Sequence, residues 1–136
     1  MDFFFYGTLI DDEVRAAVLP GSAAGLTPVS ARLPGWRRVC IRGRAYPAVV
    51  PRSAAATDGI LLRGLPPPLF DRLVDYEGAE YDLRDCLVET PDGAVTARVF
   101  AAARNCRVTA LEWDFERWRR RDKRRVMAAL RGGPLR

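Results

Sequence analysis

The sequence predicts an α+β protein, because strand-like and helix-like segments both recur along its 136 residues. Several segments carry apolar residues at every second position, the pattern of half-buried strands, and others carry them at helical spacing. A hydrophobic fraction of 49% with 29% charged residues is ordinary for a globular protein of this length. We therefore expect one compact domain over residues 1–136.

The start of the chain predicts a buried strand followed by a tight turn. Residues 3–5 are all phenylalanine, and Gly7 breaks the apolar run. An acidic stretch then opens a predicted helix over residues 11–19. A strand, a glycine turn and a helix start in succession leave backbone N–H groups unpaired, which suits an anion or a developing oxyanion.

The middle of the chain predicts further strands. Apolar residues alternate over 27–33 and 39–41, and the intervening Pro34 and Gly35 predict a hairpin turn. Residues 53–58, rich in alanine, are expected to form a flexible connector.

A second hairpin is predicted between strands at residues 83–89 and 94–101. The intervening residues 91–93 read Pro-Asp-Gly, which is a strong turn signal.

Residues 66–81 concentrate the candidate chemistry. Prolines at the start, apolar residues at helical spacing and Gly78 predict a helix that ends near Glu77. The partial negative charge of a helix C-terminus disfavours a carboxylate there by roughly 0.3–1 kcal/mol. Three more acids lie nearby in sequence: Asp75, Glu80 and Asp82.

We expect repulsion among these acids to raise at least one pKa, provided that they converge in space. A carboxyl group held partly protonated near neutral pH is suited to proton transfer. The alternative is an ordinary solvated acidic turn.

The chain contains no histidine, which excludes a histidine-activated serine or cysteine nucleophile and removes the commonest metal ligand. Cys40, Cys86 and Cys106 have no paired spacing, so we expect free thiols rather than disulfides or a zinc site. We therefore expect neither a metal nor another cofactor. A perturbed glutamate is the simplest candidate for moving a proton.

The net charge of +5 comes from the C-terminal segment. Residues 113–136 hold nine basic and three acidic residues, whereas the rest of the chain is nearly neutral. We expect this segment to form a basic amphipathic helix that ends at Gly132 and Gly133. A basic helix can bind nucleic acid, but a charge run is more often a solvated face, so nucleic acid is not the expected partner.

The sequence favours a cytoplasmic protein with no membrane partner. No apolar run approaches the roughly 20 residues of a membrane span. The first residues also lack the basic and apolar regions of an export signal. The oligomeric state stays open.

Three motifs occur in order between residue 1 and about residue 102. They are Tyr6-Gly7-Thr8-Leu9, Tyr46-Pro47, and Asp75-Tyr76-Glu77-Gly78 with Tyr81. In this order and spacing the chain resembles the gamma-glutamylcyclotransferase-like proteins, with the AIG2-like or BtrG-like fold.

The resemblance implies a small mixed β-barrel with a few flanking helices, and an enzyme of the acyltransferase or lyase type. By the same resemblance, Glu77 is the catalytic acid and base. The residues that would bind a gamma-glutamyl substrate are Tyr6, Gly7, Thr8, Leu9, Tyr46 and Tyr81.

The favoured hypothesis is cyclisation of a gamma-glutamyl amine to 5-oxoproline with release of the amine. Three alternatives stay open: a related acyl or aminoacyl transferase or deacylase, a non-catalytic small-molecule binding module, and a nucleic-acid accessory protein acting through the basic segment.

Four arginines lie along and beside the predicted strand at residues 39–41: Arg37, Arg38, Arg42 and Arg44. Either they form a solvated face, or one of them binds a carboxylate of the substrate.

Overall fold

A computed structural model describes residues 1–21 and 25–131. The strands are β1 (Phe3–Phe5), β2 (Val29–Ile41), β3 (Pro47–Leu62), β4 (Tyr81–Thr90), β5 (Gly93–Ala102) and β6 (Val108–Glu112). The α-helices are α1 (Asp12–Val18), α2 (Phe70–Glu77), α3 (Phe115–Arg121) and α4 (Lys123–Arg131). Two short 3-10 helices, Thr8–Ile10 and Pro67–Leu69, precede α1 and α2.

Five strands close into a barrel in the order β3, β1, β5, β4 and β2, because β2 also pairs with β3. Strand β1 runs antiparallel to β3 but parallel to β5, so the barrel is mixed. Strand β6 pairs with β2 as an addition to the barrel. The predicted α+β class and the small mixed barrel are both confirmed.

The two longest strands differ from the prediction. Strand β2 continues through Pro34 and Gly35 without a hairpin turn, and its pairing with β3 shifts register there. Gly35 has a φ of 83°, a left-handed conformation that glycine adopts at no steric cost. Residues 53–58, the expected connector, lie inside β3, because pairing with β2 overrides the weak strand propensity of alanine. The predicted turn and the predicted connector are therefore wrong.

The local signals that surround the site predicted their elements well. Helix α1 begins after Asp11, whose Oδ1 accepts hydrogen bonds from the amides of Glu13 and Val14 at 3.0 and 3.1 Å. Helix α2 ends at Glu77, and Gly78 follows with a φ of 80°. The hairpin of β4 and β5 turns at the predicted position.

The core has two main parts. One fills the barrel and includes Phe4, Leu33 and Val88. The other lies between the barrel and the helices, where Phe3 and Trp118 are almost fully buried. The three cysteines are free, as predicted.

The basic C-terminal segment is helical, but as two helices that break at Asp122. Trp113 precedes α3 and is buried, so it belongs to the core and not to a helix face. The predicted helix end at residues 132 and 133 lies outside the described residues. Over residues 1–21 and 25–131, no helix has the length and apolar character needed to cross a membrane.

Candidate active site

A cavity of about 670 Å³ lies where the barrel meets α2 and α4. Its volume falls within the range of roughly 300–1,000 Å³ that small-molecule sites occupy. The structure brings the predicted site residues together, because every one of them lines this cavity: Tyr6, Gly7, Thr8, Leu9, Tyr46, Glu77 and Tyr81.

Glu77 lies at the last position of α2 with its carboxyl group in the cavity wall. Burial raises the pKa of Glu77 to about 8. Within the described ranges, no protein group hydrogen-bonds or ion-pairs with this carboxyl group, and no cluster of acidic or cysteine side chains could hold a metal ion. The expected cause, repulsion from nearby acids, is wrong: desolvation raises this pKa.

The loop that follows β1 lines the same cavity as Glu77. The amides of Ile10 and Asp11 donate to the carbonyls of Gly7 and Thr8 at 3.0 and 3.1 Å, which forms the short 3-10 helix. In the part of the chain that the structure covers, the amides of Gly7, Thr8 and Leu9 donate to no protein acceptor. They are therefore available to an anion or an oxyanion.

Close packing against Pro47 favours glycine at position 7. A Cβ atom at this position would lie 3.0 Å from Cγ of Pro47 and 3.1 Å from its Cδ. The absence of a side chain thus lets the second motif, at Tyr46 and Pro47, pack directly against the first.

A hydrogen bond joins the loop to the end of α2. The hydroxyl groups of Thr8 and Tyr76 lie 2.6 Å apart. Since Tyr76 immediately precedes Glu77, this bond holds the loop and the candidate acid in a fixed relation.

Two tyrosines of the cavity wall, the buried Tyr6 and the partly buried Tyr81, direct their hydroxyl groups at backbone carbonyls. The Tyr6 hydroxyl donates to Phe100 O at 2.5 Å, and the Tyr81 hydroxyl donates to Pro47 O at 2.6 Å. Burial raises the pKa of both tyrosines, and the nearby Glu77 charge adds to this rise. Both rings are therefore neutral walls of the cavity at physiological pH.

The rim carries a polar network that the sequence did not predict. The Tyr46 hydroxyl donates to Glu80, and Nε of Arg44 lies 3.4 Å from the same carboxylate oxygen. Burial, followed by the hydrogen bond to Glu80, raises the pKa of Tyr46 to about 12. Glu80 was part of the predicted acidic turn. Its partners Arg44 and Tyr46 lie in the connection between β2 and β3, and no local sequence signal indicates this contact.

The four arginines of the β2 region separate into different roles. Arg44 lines the cavity, whereas Arg37 and Arg42 do not. Arg38 donates to Tyr6 O at 2.8 Å and to Asp58 O at 3.1 Å. It thereby links the start of the loop to β3.

Helix α4 supplies a wall that sequence reasoning missed. Val126, Ala129 and Leu130 line the cavity, as does Trp118 from α3. The signal was present as apolar residues at helical spacing within the basic segment, but it could not indicate what they pack against.

Comparison with known proteins places the chain in a family. The model of the gamma-glutamyl cyclotransferase, AIG2-like family matches residues 3–120. The chain belongs to this family.

The matched relatives include plant proteins of the same family. AIG2-like protein C of Arabidopsis thaliana is 32% identical over 135 residues, covering 96% of this chain and 76% of the relative. AIG2-like protein D of the same plant is 29% identical over 123 residues, covering 85% and 77%.

Solved structures agree on the fold. The solution structure of an Arabidopsis thaliana protein superposes with a TM-score of 0.70 at 26% identity, covering 94% of this chain and 86% of the other. A gamma-glutamyl cyclotransferase superposes with a TM-score of 0.65 at 12% identity, covering 98% and 88%, and so shares the fold alone.

The family match has an informative boundary. It includes the loop, the Tyr46-Pro47 motif and the segment around Glu77, but it ends at residue 120. Helix α4 begins at Lys123. The interior of the cavity is thus made by the part that matches the AIG2-like family model, and the wall from α4 lies outside it.

Proposed function

We propose that this protein is an enzyme that converts a gamma-glutamyl amine into 5-oxoproline and the free amine, with Glu77 as general acid and base. The observation that carries the proposal is the pairing, in one cavity, of a carboxyl group of raised pKa with a loop of free backbone amides.

The raised pKa suits the first proton transfer. The substrate's nucleophile is its own α-amine, which starts as an ammonium ion with a pKa near 8 in model compounds. An ordinary carboxylate would be too weak a base by about four pKa units, or about 5 kcal/mol. With a pKa of about 8, Glu77 accepts this proton at little cost.

Ring closure follows within one molecule. The freed amine attacks the γ-carbonyl carbon of the same substrate, and the carbonyl oxygen becomes an oxyanion. Well-oriented intramolecular reactions reach effective molarities of ~10⁵–10⁸ M, so the protein has only to hold the chain folded. No cofactor and no protein nucleophile is needed for this step.

The loop would stabilise the charge that develops on the oxygen. Free amides at Gly7, Thr8 and Leu9 are fixed donors that need no reorganisation during the reaction. As the intermediate collapses, Glu77 gives its proton to the departing nitrogen and the carbon–nitrogen bond to the amine breaks. The carboxylate then takes the second proton from the ring nitrogen, which leaves a neutral lactam, and passes it to the released amine. The proton that Glu77 took is thereby restored to the products.

Tyr46 and Tyr81 would bind the substrate through their rings. Their ring centroids lie 6.3 Å apart, and both hydroxyl groups already donate to protein acceptors. We therefore propose that the two rings shape the binding site and that their hydroxyl groups take no part in proton transfer.

The direct test is Glu77→Gln, which keeps the size of the side chain and removes its acid–base function. We expect 5-oxoproline release from a gamma-glutamyl amine to be lost while the thermal midpoint near pH 6 changes little. A folded variant with full activity would refute the assignment. Turnover-free binding by both proteins would instead support a binding module.

A further inference from the structure

The cavity is larger than a gamma-glutamyl group requires, and its remaining wall is made by α4. We propose that the face of α4 formed by Val126, Ala129 and Leu130 is the subsite for the amine portion of the substrate, and that it selects an apolar, uncharged amine. This inference rests on the proposed function, because it names the class of leaving group for that reaction.

Helix α4 is held firmly enough to act as a preformed wall. Nζ of Lys123, the only lysine in the chain, lies 2.8 Å from Oδ2 of Asp11 and 2.6 Å from Oε1 of Glu13. Asp11 is buried and also caps α1. One turn further along the helix, Met127 is buried in the core between the barrel and the helices. The subsite is therefore preorganised, which favours ligand binding.

The cavity side of α4 is apolar although the helix as a whole is basic. Val126, Ala129 and Leu130 reach the cavity, whereas the exposed Arg124 does not line it. Arg125 lines the rim, and its guanidinium pairs with Asp122 at 2.8 Å. A hydrocarbon chain laid along this face would be removed from water without displacing a charge.

The charges around the cavity do not favour a charged amine portion. Arg44 is already paired with Glu80, as Arg125 is with Asp122. A carboxylate on the leaving group would therefore have to compete with Glu80 or Asp122 for either guanidinium.

A cationic amine portion is disfavoured for a different reason. Asp75 lines the cavity and forms no ion pair among the residues described, but it is exposed, where an ion pair is weak. That attraction does not offset the cost of bringing an ammonium ion against Val126 and Leu130.

The test compares gamma-glutamyl derivatives of four amines: ethylamine, n-pentylamine, 1,4-diaminobutane and 4-aminobutyrate. We expect kcat/KM to rise about twofold to fourfold per added methylene, and so about eightfold to sixtyfold over the three methylenes from ethyl to pentyl. The cationic and anionic compounds, which have similar length, should fall about tenfold or more below the pentyl compound. A flat dependence on chain length, or a preference for either charged compound, would overturn the inference.

A pair of variants locates the effect on α4. Leu130→Ser should reduce the pentyl advantage to threefold or less, with a smaller loss for the ethyl compound than for the pentyl compound. Ala128→Ser is the matched control, since Ala128 is exposed on the same helix and does not line the cavity. Equal losses with both compounds in Leu130→Ser would contradict the subsite.

Binding measurements separate this inference from the proposed function. Calorimetric dissociation constants of the Glu77→Gln variant for the pentyl and ethyl compounds report the subsite without turnover. Absence of 5-oxoproline from every compound contradicts the proposed reaction, whereas equal affinities for the pentyl and ethyl compounds contradict the apolar subsite.

Discussion

The interior and the rim of the cavity each hold a glutamate, and the two are placed in opposite chemical settings. Glu77 has a buried carboxyl group that no described cation or hydrogen-bond donor compensates, and its pKa is raised to about 8. Glu80, three positions along the chain, accepts from Tyr46 and pairs with Arg44. Both line the same cavity.

This difference shows that proximity in sequence says little about the role of an acid. A carboxylate with bound donors is stabilised as an anion and serves structure. A carboxyl group without them exchanges its proton near neutral pH, and so suits catalysis. Substitutions at each of the two glutamates and at the residues around them test this comparison.

The largest expected effect is the difference in activity between Glu77→Gln and Glu80→Gln. General acid–base catalysis contributes typically 10²–10⁴-fold, so we expect kcat/KM to fall by that factor in the first variant. In the second, the loss should stay below about tenfold, because only the rim network is altered. Similar losses in both variants would contradict the assigned division of roles.

The pH dependence of the wild-type enzyme tests the same contrast. Below about pH 8 both Glu77 and the substrate amine are protonated, and one proton must leave before the amine can attack. We expect kcat/KM to fall about tenfold per pH unit below pH 7. A rate that stays constant down to pH 5 would indicate a carboxyl group of ordinary pKa.

The next effect concerns stability. The pKa of Glu77 in the folded protein, about 8, exceeds the ordinary glutamate value of 4.5, so the folded state binds the proton more tightly. The free energy of unfolding should therefore fall as pH rises from about 4.5 to 8, on the order of a few kcal/mol. The Glu77→Gln variant has no titrating group at this position, so its stability lacks this pH dependence.

Urea unfolding at pH 5 and pH 9 measures this effect as the difference between wild type and Glu77→Gln. We expect the two proteins to be similar at pH 5 and the variant to be the more stable at pH 9. If the difference in unfolding free energy between the two proteins is the same at both pH values, the Glu77 carboxyl group is solvated in the folded state.

A smaller effect is expected at Gly7. In Gly7→Ala, the new methyl group must displace Pro47 by a few tenths of an ångström, which shifts the loop relative to Glu77. Since a 1 Å misplacement can cost about 10²-fold, we expect a loss of about tenfold in kcat/KM. Gly25→Ala is the control, because nothing lies within 4 Å of its new atom.

The smallest effect is expected at the rim. Tyr46→Phe removes the hydroxyl group that donates to Glu80 but leaves the ring and the Arg44 pair in place. We expect KM to change twofold to fivefold with kcat nearly constant. A hundredfold fall in kcat would instead place this hydroxyl group in the chemistry.

The sequence predicted the elements of the site well where signals are local. A glycine after a helix, a glycine after an aromatic strand and a Pro-Asp-Gly turn each act over a few residues, and all three are found where expected. The resemblance then indicated which residues converge.

The remaining features depend on partners distant in sequence. Residues 34–35 looked like a turn and residues 53–58 like a connector, but cross-strand pairing places both segments inside long strands. The cause of the raised pKa was also missed, because burial is a property of the packed cavity. The wall from α4 depends on Lys123 reaching Asp11, a contact that no local pattern encodes.

Trp118 gives the molecule an optical probe of its own. The indole lies against the cavity and is almost fully shielded from water, and its Nε1 has no acceptor among the residues that the structure covers. Occupancy of the α4 side by a hydrocarbon chain or by solvent changes the polarity next to this ring. Its fluorescence emission can therefore follow filling of the pocket in real time, without a label and without turnover.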